Sequence, residues 1–194
     1  MTDILEKKNI ILGISGGIAA YKSVELLRLL IKQGADVRVL MTRNACRFVG
    51  PLTFEALSGK AVCTHLFQEG QNASIGHIEW AKNAAAVIVA PATANIIGKM
   101  AGGIADDALT TFLLAVTAPI LICPSMNTDM YQSPAVQRNL SVLEKDGHFI
   151  LSPESGALAC GVTGPGRLPD PEEILDRLIN VMCPQDLSGK EVLV

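Results

Sequence analysis

The chain has 194 residues, 49% apolar and 18% charged, a balance that suits one large globular core and argues against disorder. Its formal net charge of −3 argues against nucleic-acid binding, so an anionic ligand must be held by local groups rather than by an overall field. The five cysteines, Cys46, Cys63, Cys123, Cys160 and Cys183, include no C-x-x-C pair, which disfavours a disulfide framework or a zinc site and fits a reducing cytoplasm.

Residues 1–9 are too polar for a signal peptide, and no apolar run reaches the ~18–20 residues that span a bilayer. Residues 9–14 read as a buried strand closed by Ser15-Gly16-Gly17. Residues 18–33 carry a helical pattern, with Val24, Leu27, Leu30 and Ile31 on one face and Lys22, Glu25 and Lys32 opposite. Gly34 stops that helix, and residues 37–41 form a second buried strand, giving a right-handed βαβ unit.

The glycine turn invites two motif readings. The dinucleotide fingerprint G-x-G-x-x-G fails, because Ser15 and Ile18 fall where glycines are needed. The second strand also ends in Thr42-Arg43-Asn44 rather than an acidic residue, which suits a phosphate or mononucleotide better than the ribose of NAD. Gly13-Ile14-Ser15-Gly16-Gly17 does fit the nucleophile elbow G-x-S-x-G, but on a first strand it lacks the preceding strand that would supply an oxyanion hole. Exposed N–H groups at the following helix start make an anion seat, and a plain tight turn is the bland alternative.

Residues 51–57 look helical, 58–60 a turn and 62–67 a short strand; residues 68–75 read as a polar loop. That loop empties into Gly76-His77-Ile78-Glu79-Trp80, which can start a short helix to residue 83. His77 is a better functional candidate than His65 or His148, with a surface or capping role as its alternative. Residues 84–90 form an apolar strand, and Pro91-Ala92-Thr93-Ala94-Asn95 then leads into a helix through Met100. Small residues there let a flat ring or a phosphate approach the backbone. Gly102-Gly103 is a break, after which Asp106 is a candidate cap for a helix over residues 107–117.

The apolar run 119–123 feeds Pro124-Ser125-Met126-Asn127-Thr128-Asp129-Met130-Tyr131, a strand end meeting a helix start, where open α/β sheets place ligands. Asn127 offers an amide that donates and accepts, while Met126 and Met130 flank it as a soft apolar wall; the alternative is a helix cap beside two core methionines. Ser133-Pro134 opens another helix that ends at Gly147, and residues 148–151 are the last strand. Residues 152–171 are rich in glycine and proline around Cys160 and Arg167 and read as a mobile flap without regular structure. Residues 172–182 form a closing helix, and 183–194 read as a linker towards a further domain.

Five motifs in order carry a family resemblance: Ser15 to Lys22 (SGGIAAYK), Gly76-His77-Ile78, Ala90 to Asn95 (APATAN), Pro124 to Tyr131 and Ala159-Cys160-Gly161. Together they resemble the flavin-containing cysteine decarboxylases, and among them the members whose phosphopantothenoylcysteine decarboxylase half is joined to a synthetase half. Tyr131 stands where that family more often has Trp. The resemblance implies a three-layer α/β/α Rossmann-like flavoprotein with a six-stranded parallel sheet, spanning residues 1–182. It implies FMN at a subunit interface, homotrimers that assemble into dodecamers, and a synthetase domain beyond residue 194. FMN contacts would fall on Gly16, Gly17, Ile18, Thr42, Asn44, Thr93, Ala94, Asn95 and Ser125, and catalysis on His77, Asn127 and Cys160.

The implied reaction converts 4'-phosphopantothenoyl-L-cysteine to 4'-phosphopantetheine in coenzyme A biosynthesis. The chemistry suits these residue types, because loss of CO2 needs an electron sink and the sequence shows neither a metal site nor a Schiff-base lysine. Oxidising the thiol-bearing carbon to a thioaldehyde creates that sink; CO2 leaves to give an enethiol, which is then reduced. His77 would be the base, Asn127 would hold the substrate carboxylate beside Met130, and Cys160 would give the last proton. Arg167 and Lys99 are candidates for the substrate phosphate. The rivals are a peptidyl-cysteine decarboxylase that stops at the enethiol, a flavin prenyltransferase, and a non-catalytic flavin-binding regulator.

Overall fold

The computed structural model describes residues 4–65, 73–157, 161 and 163–183, with the backbone alone at 73–77. Five runs rich in Ile, Val, Leu and Ala become strands: β1 (Asn9–Ile14), β2 (Asp36–Met41), β3 (Ala86–Ala92), β4 (Ile120–Pro124) and β5 (Phe149–Ile150). All are parallel, in the order β2-β1-β3-β4-β5. β3 and β4 are buried at every position, as expected of strands covered on both faces.

Alternation along the strands divides the interior into two cores. Ile10, Leu12, Ile14, Ile88 and Leu121 pack with Leu26, Leu27 and Leu30 of α1 (Lys22–Lys32) and Ile174 and Leu178 of α8 (Pro171–Met182). Ile11, Val87, Val89 and Ile122 face the other way, onto Ile96 and Ile97 of α4 (Ala94–Ala101) and Leu109 and Phe112 of α5 (Ala108–Ala115). Leu140 and Leu143 of α7 (Pro134–Lys145) complete that second layer. Each fully buried side chain of this size contributes roughly 1.5–3 kcal/mol.

The α/β/α class agrees with expectation, while the strand count does not. Among the described residues the parallel sheet has five strands, not six. Of the expected strand at 62–67, the described residues 62–65 form a single bridge, in which Met41 N donates to the Cys63 carbonyl at 2.9 Å and Cys63 N donates to the Val39 carbonyl at 3.0 Å. The Cys63 thiol bonds the His65 carbonyl two residues on, a local contact of a turning chain rather than of an extended one. Residues 66–72 lie outside the described part.

The helix expected over residues 51–57 is present as α2 (Pro51–Ser58), and other elements differ in detail. A 3-10 turn, Ile18–Tyr21, precedes α1, whose buried stripe is Ser23, Leu26, Leu27 and Leu30; Ile31 is partly exposed. Asp107, not Asp106, caps α5: Thr110 N donates to Asp107 Oδ1 at 2.8 Å and Asp107 N donates to Thr110 Oγ1 at 3.1 Å. The short helix expected from Gly76 to residue 83 begins earlier, as α3 (Ala73–Asn83), so His77 lies within it rather than at its mouth, a helix tolerating Gly76 for about 1 kcal/mol.

Among the described residues, part of the glycine-rich stretch after β5 is regular, against expectation. β6 (Glu154–Ala157) and β7 (Thr163–Arg167) pair antiparallel as a hairpin. Its glycines serve close packing. A Cβ on Gly164 would lie 2.7 Å from Thr128 Oγ1 of α6 (Thr128–Gln132), and Gly166 has φ +146 against the Met126 carbonyl. Composition signals irregularity here because it cannot show what the missing side chains make room for.

Candidate active site

β1 continues in sequence to β2 on one side, whereas β3 lies on its other side, so strand order reverses at β1. Ligands of open α/β sheets settle in the crevice beyond the carboxyl ends at such a point. The turns after β1, β2, β3 and β4 and the β6–β7 hairpin together line one cavity of about 820 Å3 there.

The turn after β1 is tied to that after β3 by one buried hydroxyl. Ser15 Oγ donates to the Pro91 carbonyl at 2.7 Å, accepts from Thr93 N at 2.9 Å and lies 3.0 Å from Thr93 Oγ1. With Ser15 only 2% exposed, the G-x-S-x-G match is a structural latch rather than a nucleophile. Gly16 lies flush against the loop after β2, where an added Cβ would come within 2.8 Å of the Asn44 carbonyl carbon. Thr42 Oγ1 accepts from Ala45 N at 3.2 Å and fixes that loop. Thr93 opens α4, so the first N–H groups of that helix point to the crevice side, as an anion seat requires.

Below the hairpin, Asn127 is the N-cap of α6. Its Oδ1 accepts from Asp129 N at 2.8 Å and Met130 N at 3.3 Å, which sets the plane of the amide at the cavity wall. Gly166 supplies the matching anchor: its carbonyl accepts from Met126 N at 3.0 Å and Ser125 Oγ at 3.3 Å.

The cavity thus brings together Gly16, Gly17, Ile18, Thr42, Asn44, Thr93, Ala94, Asn95 and Ser125, with Asn127, Met130, Lys99 and Arg167 around them. Cys160 and the His77 side chain lie outside the described residues. Lys99 reaches the cavity already paired, at 2.6 Å from Asp106 and 3.4 Å from Asp107. The hydrogen bond that Lys99 donates to Asp106 leads the effects that raise the Lys99 pKa, and in return Lys99 holds Asp106 below the usual carboxylate range. An anion at Lys99 must compete with two carboxylates, whereas the Arg167 side chain lies along Gly156 at the cavity wall.

Sequence reasoning passed over Asp106 and Asp107 as cavity residues and placed Lys22 on an outer face. Lys22 in fact lines the cavity and donates to the Leu168 carbonyl at 3.1 Å and to Asp170 Oδ1 at 2.7 Å. No local pattern could reveal it, since these partners are more than a hundred positions away in sequence.

The donor set is amides, hydroxyls and helix-start N–H groups around a glycine turn, without an acidic residue at the end of β2. It fits a flat ring carrying a phosphate. The chain matches the Flavoprotein family over residues 2–183 and belongs to that family. Among curated proteins it is 55% identical over 194 residues to the coenzyme A biosynthesis bifunctional protein CoaBC of Bacillus subtilis (strain 168), covering 98% of this chain and 48% of that protein. The chain therefore spans about half the length of such relatives.

Two solved structures share the fold closely. One is the FMN-dependent cysteine decarboxylase SpaF, with a TM-score of 0.79 and 32% identity over 92% of this chain and 98% of that one. The other is a PPC decarboxylase mutant in complex with pantothenoylaminoethenethiol, with a TM-score of 0.78 and 29% identity over 89% of this chain and 97% of that one.

Proposed function

We propose that the crevice binds FMN and that the chain catalyses decarboxylation of 4'-phosphopantothenoyl-L-cysteine to 4'-phosphopantetheine, a step of coenzyme A biosynthesis, in the cytoplasm. The observation that carries this is the meeting, in one cavity, of the turns after β1, β2, β3 and β4 with Asn127. The similarity to CoaBC proteins and to a PPC decarboxylase supports the substrate.

FMN, when bound, supplies a reversible acceptor for two electrons. Gly16, Gly17, Ile18, Thr42, Asn44, Thr93, Ala94, Asn95 and Ser125 would hold it. The Asn127 amide donates to the substrate carboxylate, and Met130 forms the apolar wall beside it. His77 takes the proton from the thiol side as general base. Cys160 donates the last proton to the enethiol carbon. Arg167 takes the substrate phosphate more readily than Lys99, which Asp106 and Asp107 already engage.

Residues 1–182 would form the decarboxylase domain, with 183–194 as a linker towards a C-terminal synthetase domain. The assembly would be a homotrimer, and the trimers a dodecamer. Incubation with phosphopantothenoylcysteine and mass measurement of the product tests the activity. Phosphopantetheine supports it; accumulation of the enethiol alone indicates an enzyme of the peptidyl-cysteine type, and unchanged substrate contradicts both.

A further inference from the structure

Lys22 follows the glycine turn in the first turn of α1, and its side chain is only 14% exposed. Its ammonium joins two carbonyl-side partners at the foot of the hairpin, the Leu168 carbonyl at 3.1 Å and Asp170 Oδ1 at 2.7 Å. Leu168 is 2% exposed, so its carbonyl depends on a partner from within the protein. Asp170 precedes α8 but makes no side-chain cap to it; the carboxylate is turned to Lys22 instead. Asp170 N in turn donates to Glu154 Oε1 at 3.3 Å, at the start of the other hairpin strand. Lys22 therefore holds the β7 side of the hairpin directly and reaches the β6 side through the Asp170 N bond to Glu154.

The far side of the hairpin is held separately, where the Gly166 carbonyl accepts from Met126 N and Ser125 Oγ. Arg167 lies between these two attachments and faces the cavity. We propose that Lys22 is a positioning residue: it pins the hairpin foot to the end of the glycine turn and so sets the hairpin, with Arg167, over the substrate half of the cavity. This rests on the decarboxylase reading for its kinetic arm only. Lys22 acts through the hairpin, so its removal weakens substrate binding while the cofactor turns stay in place.

The test combines hydrogen exchange with steady-state kinetics on the flavin-loaded protein, comparing Lys22→Met, Lys22→Arg and Asp170→Asn. In Lys22→Met the amides of residues 163–168 should exchange at least about tenfold faster, with those of β1 and β3 unchanged. KM for phosphopantothenoylcysteine should rise about tenfold, with kcat and flavin content changed less than about threefold. Lys22→Arg should restore most of the affinity. Asp170→Asn keeps the Leu168 bond, should shift both readouts in the same direction by less, and serves if Lys22→Met does not fold.

Unchanged hairpin exchange overturns the proposal. So does faster exchange with an unchanged KM, which makes the contact structural only, or loss of flavin with an unchanged KM per bound flavin. Wild-type protein without turnover overturns the decarboxylase reading instead, and hairpin exchange still decides whether Lys22 pins the hairpin.

Discussion

Ser15 Oγ and Thr93 Oγ1 lie 3.0 Å apart, joining the turns after β1 and β3 where the sheet reverses its strand order. Two segments nearly eighty residues apart are thereby fixed as one wall of the cavity. Ser15→Ala removes the acceptor of Thr93 N and the donor to the Pro91 carbonyl. The Pro91 carbonyl keeps the bond from the backbone N of residue 15 at 3.2 Å, so the cost is that of the half-buried Thr93 N alone, about 1 kcal/mol in thermal or urea unfolding. FMN affinity, read by fluorescence titration, should fall about tenfold because the start of α4 is no longer held. Unchanged affinity and stability would show that the latch is dispensable.

Gly16→Ala tests the opposite wall. Its Cβ would press on the Asn44 backbone, which cannot move without displacing the loop that Thr42 fixes. The purified variant should be folded by circular dichroism yet retain under about a tenth of the wild-type flavin. Full flavin content would mean that the loop yields freely.

Asn127 has two roles that one pair of substitutions separates. Asn127→Asp keeps a cap oxygen for Asp129 N and Met130 N but sets a carboxylate against the substrate carboxylate. Stability should stay within about 0.5 kcal/mol of wild type. Turnover should drop at least about a hundredfold, in line with the loss of a transition-state contact. Asn127→Ala should also lose the cap, at about 0.5–2 kcal/mol in unfolding experiments. Wild-type turnover in Asn127→Asp would reduce Asn127 to a capping residue.

The Asp170 carboxylate is held below its ordinary value of 3.8 first by its bond from Lys22 and then by the charge of that ammonium. A depressed folded pKa means stability present above the unfolded pKa and lost as pH falls through the folded one. In an NMR titration Asp170 should therefore titrate below 3.8, and Lys22→Met should bring it back towards that value. The Lys22 tether should persist through the neutral range and weaken in acid as Asp170 takes up its proton. An Asp170 midpoint that ignores Lys22 would deny the ion pair in solution.

The sheet was legible because its strands are continuous apolar runs bounded by turns, and two-sided burial demands such runs. The turns that line the cavity were legible as strand ends meeting helix starts with small and polar residues between, while the individual contacts came from the family resemblance. What escaped was long-range pairing. Ser15 reads locally as a candidate nucleophile and Lys22 as a solvated helix face, and only folding brings in Thr93 and Asp170. The cap of α5 falls to Asp107 rather than to the expected Asp106 because either can precede the helix; the reach of Lys99 to Asp106 leaves Asp107 to cap. The hairpin was missed because glycine and proline signal turns unless a neighbour such as Thr128 needs the space they leave.

The most direct test is a visible absorption spectrum of the purified protein, followed on the same sample by a turnover assay with phosphopantothenoylcysteine. The expected result is a yellow protein with about one FMN per chain that releases CO2 and forms phosphopantetheine. A colourless protein that takes up no added FMN, or a flavin-loaded one that leaves the substrate intact, would contradict it.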